Sequence, residues 1–545
     1  MRPKVTCHRR ICGFIALVLV LALPGVWSPT AAQSQSMAFK QGVAEAAVMD
    51  RSIADYFRQR AYAPLWTDTA KGAARRVALL RALDQASLHG LPEQRYDLDV
   101  VFDALRTARS EKDLGRVEVA LTKVFLLLAR DMQTGILEPR KVVRAIKRDI
   151  QTSKTDALLD AFVASDPARF FATLAPDSAE YRSLLRQKLR LEKTIALGGW
   201  GATVPVQKLE RGDRGDAVIR LRTRLETMGY LTQSSVAKYD RTIEAAVREM
   251  QADHGLEVDG VAGISTLEEL NVAATARLKS VLVALERERW LNSAETRSAK
   301  RRSTRQILVN LTDFSARVLD AGAETFYTRA VVGKNSKDRR SPEFSDLMEF
   351  MVINPTWHVP RSIAVKEYLP KLRANPNAAS YIRLVNSRGQ VVSRDTIDFA
   401  AYDRSSFPYS MKQPPSKSNA LGLVKFMFPN EYNIYLHDTP HKKLFGRETR
   451  AFSHGCIRLS DPFGFAYHLL AVQEDDAEAF FASKLATGRE TQVDLEEPVP
   501  VHIVYRTAIS DAHGEVGYRR DVYGRDDTIW KALSQAGVSL PDVQG

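Results

Sequence analysis

The run AFSHGCIRLSDP, residues 451–462, sets a lone cysteine, Cys456, between a glycine and an alternating apolar stretch. The other two cysteines, Cys7 and Cys12, lie in the first dozen of 545 residues. A cysteine nucleophile needs a base, donors for an oxyanion and open backbone around it. Gly455 lets a carbonyl approach closely, and the amides of Gly455 and Cys456 are candidate oxyanion donors. Ser460 or Asp461 caps a following helix with Pro462 in its first turn. Ser453 and His454 flank the thiol, and His454 is read as shaping the loop through a hydrogen bond. Arg458 shares the strand face of Cys456, either to grip a substrate carboxylate or to form a surface salt bridge. The competing reading of Cys456 is an inert, buried thiol.

A base precedes the cysteine by nineteen residues. In YNIYLHDTP, residues 432–440, alternation sends Ile434 and Leu436 to one face and Asn433, Tyr435 and His437 to the other. His437 ends this strand before a turn marked by Asp438 and Pro440. A thiolate–imidazolium pair between His437 and Cys456 would lower the thiol pKa. Trp357, in NPTWHVP, lines a cleft or fills a core.

The N-terminus reads as an export signal. Arg2, Lys4, Arg9 and Arg10 precede the apolar run ICGFIALVLVLAL, and small residues follow, with cleavage expected near Ala32. The rival reading is an uncleaved inner-membrane anchor. Cleavage removes Cys7 and Cys12, so Cys456 stands alone in a disulfide-forming compartment, the periplasm or cell envelope. The net charge of +13 falls to +9 without the four basic residues of the signal. That balance suits a polyanionic matrix; no nucleic-acid motif is present, and no nucleic-acid partner is expected. No His/Cys/Asp/Glu spacing suggests a metal site, so no cofactor is expected.

The chain divides into a signal (1–32), a helical region (40–200), a central unit (205–275) and a β-rich domain (300–530). Apolar residues at spacings of three and four mark the helical region. There Tyr62, Leu65 and Trp66 fall in a loop, as core anchors or partner contacts. The central unit predicts three helices, the first ended by Gly229 and the second capped by Asp240. β-Branched and aromatic runs mark the last domain. They are interrupted at residues 361–421 by a long insertion of the kind that forms lids.

The central unit resembles the peptidoglycan-binding domain of bacterial wall enzymes, most clearly in the run Asp259 to Thr266 (DGVAGIST). The elements HDTP and SHGCIRL resemble the L,D-transpeptidase signature at His437, Ser453, His454, Gly455 and Cys456. NPTWHVP, LGLVKFMFPN and IYLHDTP are similar to its large multidomain members. The resemblance implies a multidomain α+β protein. It would comprise a helical scaffold domain, a three-helix peptidoglycan-binding-like domain and a β-sandwich-like catalytic domain with a capping loop. It implies that the Cys456 thiolate attacks the third residue of a stem tetrapeptide and His437 protonates the leaving D-alanine. A neighbouring stem's amine then resolves the thioester into a 3→3 cross-link. Carbapenems would target the same thiol. In the family a backbone carbonyl orients the histidine, so the Asp438 side chain is not expected to complete a triad. Tyr435 would help line the oxyanion region, and Arg458, Trp357 and Asn433 would contact substrate. Small members often carry asparagine where this chain has Arg458, so their acceptor preference does not transfer. Water as acceptor would make an L,D-carboxypeptidase or endopeptidase. An inert thiol would leave a noncatalytic wall-binding scaffold. A papain-like peptidase fits poorly, because its cysteine precedes its histidine.

Overall fold

The computed structural model describes residues 35–68, 70–233, 235–292, 305–511 and 513–541. The expected signal, with Cys7 and Cys12, lies outside them. Among the described residues no helix is long and apolar enough to cross a membrane.

The N-terminal helices gather around one long helix, Glu111–Thr134, which opens on a reciprocal cap between Ser110 and Asp113. It packs against helix Met37–Ala46 at backbone contact: a Cβ on Gly115 would lie 2.3 Å from the Phe39 carbonyl oxygen. Trp66, Phe125 and Phe162 fill the core. The buried Glu118 carboxylate accepts the amides of Leu65, Trp66 and Thr67, so this loop is a core anchor, with Trp66 fully buried.

Helix Ala179–Ala196, expected to belong with these helices, joins a different core. Its stripe of Tyr181, Leu184, Leu191 and Ile195 packs with Leu278, Val281 and Leu285 of helix Ala274–Leu291. The C-terminal helix Arg525–Gln535 completes that core through Ile529 and Leu533. The central unit has helices Asp216–Met228, Arg241–Asp253 and Ile264–Leu270 around Leu221, Leu225, Val247 and Met250.

The β-rich domain begins with β1 (Gln306–Asn310), β2 (Ser315–Asp320), β3 (Ala323–Gly333) and β4 (Phe344–Ile353). An insertion follows with β5 (Trp357–His358), β6 (Arg383–Val385), β7 (Val391–Val392) and β8 (Ser410–Gln413). The main sheet resumes with β9 (Val424–Met427), β10 (Leu436–His437), β11 (Ala451–Ser453), β12 (Ile457–Leu459) and β13 (Thr491–Val504). The order is β11-β3-β12-β10-β9-β4-β13-β1-β2, and β2 also pairs with β3. The expected sandwich is therefore a sheet closed on itself. Closure removes the free edges that two facing sheets would leave, and Val309, Met351, Phe426, Ile457 and Leu469 fill the interior. The insertion has its own sheet, β5-β8-β6-β7, and its own core, including Leu369, Leu384 and Phe407. Residues after β13 leave the large sheet: β14 (Ala508–Ser510) and β15 (Val516–Tyr518) form a hairpin against the helical core.

Candidate active site

β10 and β12 run parallel and adjacent, pairing Leu436 with Ile457 and His437 with Arg458. Leu436 and Ile457 are fully buried in the sheet interior. Side-chain alternation then puts Tyr435, His437, Cys456 and Arg458 together on the opposite face. The strand is shorter than alternation suggested. Asn433 adopts a left-handed turn with φ of 54°, held by the Asn430 side chain, which accepts from the amides of Tyr432 and Ile434. The exposed Asn433 thus presents its backbone rather than a strand side chain: its carbonyl accepts from the Cys456 thiol at 3.4 Å.

His437 is buried, with Nδ1 against the carbonyl oxygen of Asp438. A carbonyl only accepts, so Nδ1 carries the hydrogen and Nε2 is left with a lone pair. Burial, and next the Arg458 charge, depress the imidazole pKa to about 3. The Asp438 carboxylate is engaged elsewhere, by Lys442 Nζ at 2.7 Å and the Leu423 amide at 2.9 Å.

Cys456 is partly exposed, yet the packing around its sulfur raises the thiol pKa to about 11, against the opposing effects of Tyr435 and Arg458. The Tyr435 phenol lies beside the thiol and also meets the Trp357 indole. Both directions, thiol up and imidazole down, run against the thiolate–imidazolium pair expected from the sequence. Both groups are neutral, because desolvation outweighs the nearby positive charge that would favour a thiolate.

The loop between β11 and β12 is pinned from within. Ser453 Oγ donates to the Cys456 carbonyl at 2.5 Å and accepts the Gly455 amide at 3.1 Å. The Gly455 amide is thus occupied and does not face the cleft as an oxyanion donor. The Cys456 amide has no hydrogen-bond partner among the described residues. Gly455 has φ of 124°, which demands glycine by backbone conformation. His454 Nε2 meets Glu367 of the insertion at 2.5 Å, so it joins two elements instead of shaping its own loop. Arg458 forms no salt bridge among the described residues, and its Nε is buried without a partner. Trp357 belongs to the insertion core, one of its two expected placements, and its indole meets the Tyr435 phenol.

Sequence reasoning missed Glu367 and Ser341. Glu367 carried a faint signal, an acid on a helix of the expected lid. Ser341 carried none; its hydroxyl donates to the Gly455 carbonyl at 2.6 Å from 114 residues away.

Residues 304–494 match the family described as the L,D-transpeptidase catalytic domain. Residues 214–270 match a "Putative peptidoglycan binding domain", and residues 51–189 match a scaffold domain. A Haemophilus influenzae protein named "Putative L,D-transpeptidase" is 33% identical over 225 residues, 41% of this chain and 45% of that protein. The match spans less than half the length of that curated relative. The solved L,D-transpeptidase of Xylanimonas cellulosilytica aligns over 55% of this chain and 98% of its own at 15% identity, with a TM-score of 0.17. That of Stackebrandtia nassauensis aligns over 56% and 97% at 16% identity, with a TM-score of 0.21. Both scores are too low to support a structural argument. The chain thus carries matches to a scaffold domain, a putative peptidoglycan-binding domain and an L,D-transpeptidase catalytic domain, in that order.

Proposed function

We propose that this protein acts in the cell envelope as a peptidoglycan L,D-transpeptidase forming 3→3 cross-links through a thioester on Cys456. The observation that carries this is the shared face of Tyr435, His437, Cys456 and Arg458, which gathers a thiol, a neutral imidazole and an unpaired guanidinium. The Cys456 sulfur attacks the carbonyl of the third residue of a donor tetrapeptide stem, and its proton passes to His437 Nε2. The oxyanion faces the Cys456 amide, with the Tyr435 phenol alongside. Collapse breaks the peptide bond, the imidazolium returns its proton to the departing D-alanine, and the acyl group stays on sulfur. The side-chain amine of an acceptor stem then attacks the thioester and loses its proton to Nε2, which passes it to the departing thiolate. Arg458 suits a substrate carboxylate because it has no acidic partner of its own. Trp357, which meets Tyr435, and the Asn433 turn, whose carbonyl accepts from the Cys456 thiol, adjoin this face.

Neutral partners at rest mean that proton transfer accompanies attack, a general-base step worth about 10²- to 10⁴-fold. The insertion at 361–421 serves as a cap, and residues 205–275 as a wall-binding unit. The test is incubation with tetrapeptide muropeptides, followed by mass spectrometry of products. Wild type should yield 3→3 dimers, and His437→Ala and Cys456→Ala none. Tripeptides without dimers would indicate a hydrolase instead. A carbapenem should add to wild type and not to Cys456→Ala; no adduct on wild type would favour the noncatalytic wall-binding scaffold.

A further inference from the structure

We propose that Ser341, on the loop between β3 and β4, is a positioning residue that aims the Cys456 amide at the reacting carbonyl, and that the C-terminal segment locks it there. This rests on the reading of Cys456 as the acyl acceptor. The Gly455 carbonyl and the Cys456 N–H belong to one planar trans peptide unit and point in opposite directions. Whatever fixes the oxygen therefore fixes the direction of the N–H. Ser341 Oγ donates to that oxygen at 2.6 Å and accepts the Gly333 amide at 3.0 Å. A hydroxyl with its hydrogen and a lone pair both committed cannot rotate freely. Its donation also polarises the peptide and strengthens the N–H as a donor.

Ser341 is itself held. It is fully buried, and its carbonyl accepts from Arg525 at 2.6 Å. Arg525 also binds one oxygen of Glu343 at 2.8 Å, while Arg287 of helix Ala274–Leu291 binds the other at 2.6 Å. The Tyr523 hydroxyl donates to the carbonyl of Gly333. Gly333 must be glycine for this loop to lie so close: a Cβ there would sit 2.0 Å from the Arg339 carbonyl oxygen. With Ser453 holding the other side of the thiol loop, the Cys456 amide is the polar backbone group of Gly455 and Cys456 left for a ligand among the described residues.

The test compares two reactions of the same sulfur in the full chain. Acylation by a carbapenem passes through an oxyanion; alkylation by iodoacetamide does not. Ser341→Ala should slow acylation about 10- to 100-fold and leave alkylation at the wild-type rate, and Ser341→Thr should restore acylation. Unchanged acylation in Ser341→Ala would overturn the proposal, as would an equal fall in both reactions. If Ser341→Ala does not fold, Arg525→Lys decides in the same way, because it keeps the charge but loses the fork that spans Ser341 and Glu343. A wild type that is alkylated but never acylated would remove the reading of Cys456 as acyl acceptor, and this inference with it.

Discussion

His437 faces Arg458 across two adjacent parallel strands, and the Arg458 Nε is buried without a partner. Burial first, and then the neighbouring guanidinium charge, disfavour the imidazolium, and the imidazole pKa is depressed to about 3. In the free protein the imidazole is therefore a weak acceptor of the thiol proton. A substrate carboxylate on Arg458 would neutralise the opposing charge and let the imidazole take up that proton. Donor binding and activation of the nucleophile are thereby coupled through one guanidinium.

The resting thiol is predicted to behave as an ordinary, even reluctant, one. With its pKa raised to about 11 by packing, the iodoacetamide rate of the free protein should climb about tenfold per pH unit from neutrality to pH 10. A rate already on a plateau at pH 7 would show a preformed ion pair and contradict the neutral resting state.

Replacing Arg458 by glutamine should act mainly on donor recognition. A hydrogen-bonded charge pair contributes about 1.5–3 kcal/mol, so kcat/KM for tetrapeptide stems should fall about 10- to 150-fold, chiefly through KM. Steady-state kinetics with the natural donor and one amidated at its C-terminus make the check. Equal losses on both donors would mean that the guanidinium does not read a carboxylate.

The chemistry was legible in the sequence where it is local and obscure where it is distant. The alternation around Leu436 sets the face of His437, and the nineteen-residue spacing allows it and Cys456 to meet; the pairing of β10 with β12 makes their strands neighbours. The same alternation misplaces Asn433, because the Asn430 side chain outcompetes the ladder for the local amides. The helical periodicity of residues 179–196 is plain, but nothing local says that its apolar stripe belongs with helix Ala274–Leu291. Ser341 and Arg525 are invisible to pattern for the same reason: one polar residue matters only once the chain has brought it under Gly455. Spacing likewise reveals a partner for the thiol but not the desolvation that opposes its charge.

Buried neutral histidines should make stability depend on acidity in a defined direction. His254, 3% exposed, has Nδ1 on the Met250 carbonyl at 2.8 Å and a buried Nε2 without a partner. Burial depresses its pKa to about 3. The unfolded chain takes up this proton first, so its contribution is complete above pH 6.5 and is lost as pH falls toward 3. Relative to His254→Gln, wild type should lose up to about 1.4 kcal/mol per pH unit below 6.5. Urea unfolding of both proteins at pH 7 and pH 5 measures this. A constant difference between them would show that the ring is protonated in the folded state.

Glu367 fastens the insertion to the nucleophile loop, and its removal should change what resolves the thioester. One carboxylate oxygen accepts from Arg339 at 2.7 Å and meets His454 at 2.5 Å, while neighbouring Lys366 pairs with Asp338 at 3.1 Å. Both residues lie in the π-helical stretch Ala364–Tyr368, a widened turn that often marks a functional site. These pairs are half-exposed, so each contributes at most about 1 kcal/mol, enough to shift an open–closed balance about fivefold but not to unfold the insertion. If the fastened insertion keeps water from the thioester, Glu367→Ala should raise the ratio of tripeptide to 3→3 dimer by about that factor and speed alkylation of Cys456. High salt should push wild type the same way, because exposed pairs are screened. A product ratio and an alkylation rate that both ignore the substitution and the salt would mean that the insertion is held by its apolar contacts alone, Trp357 against Tyr435 among them, and that the ion pairs do not govern access to the sulfur.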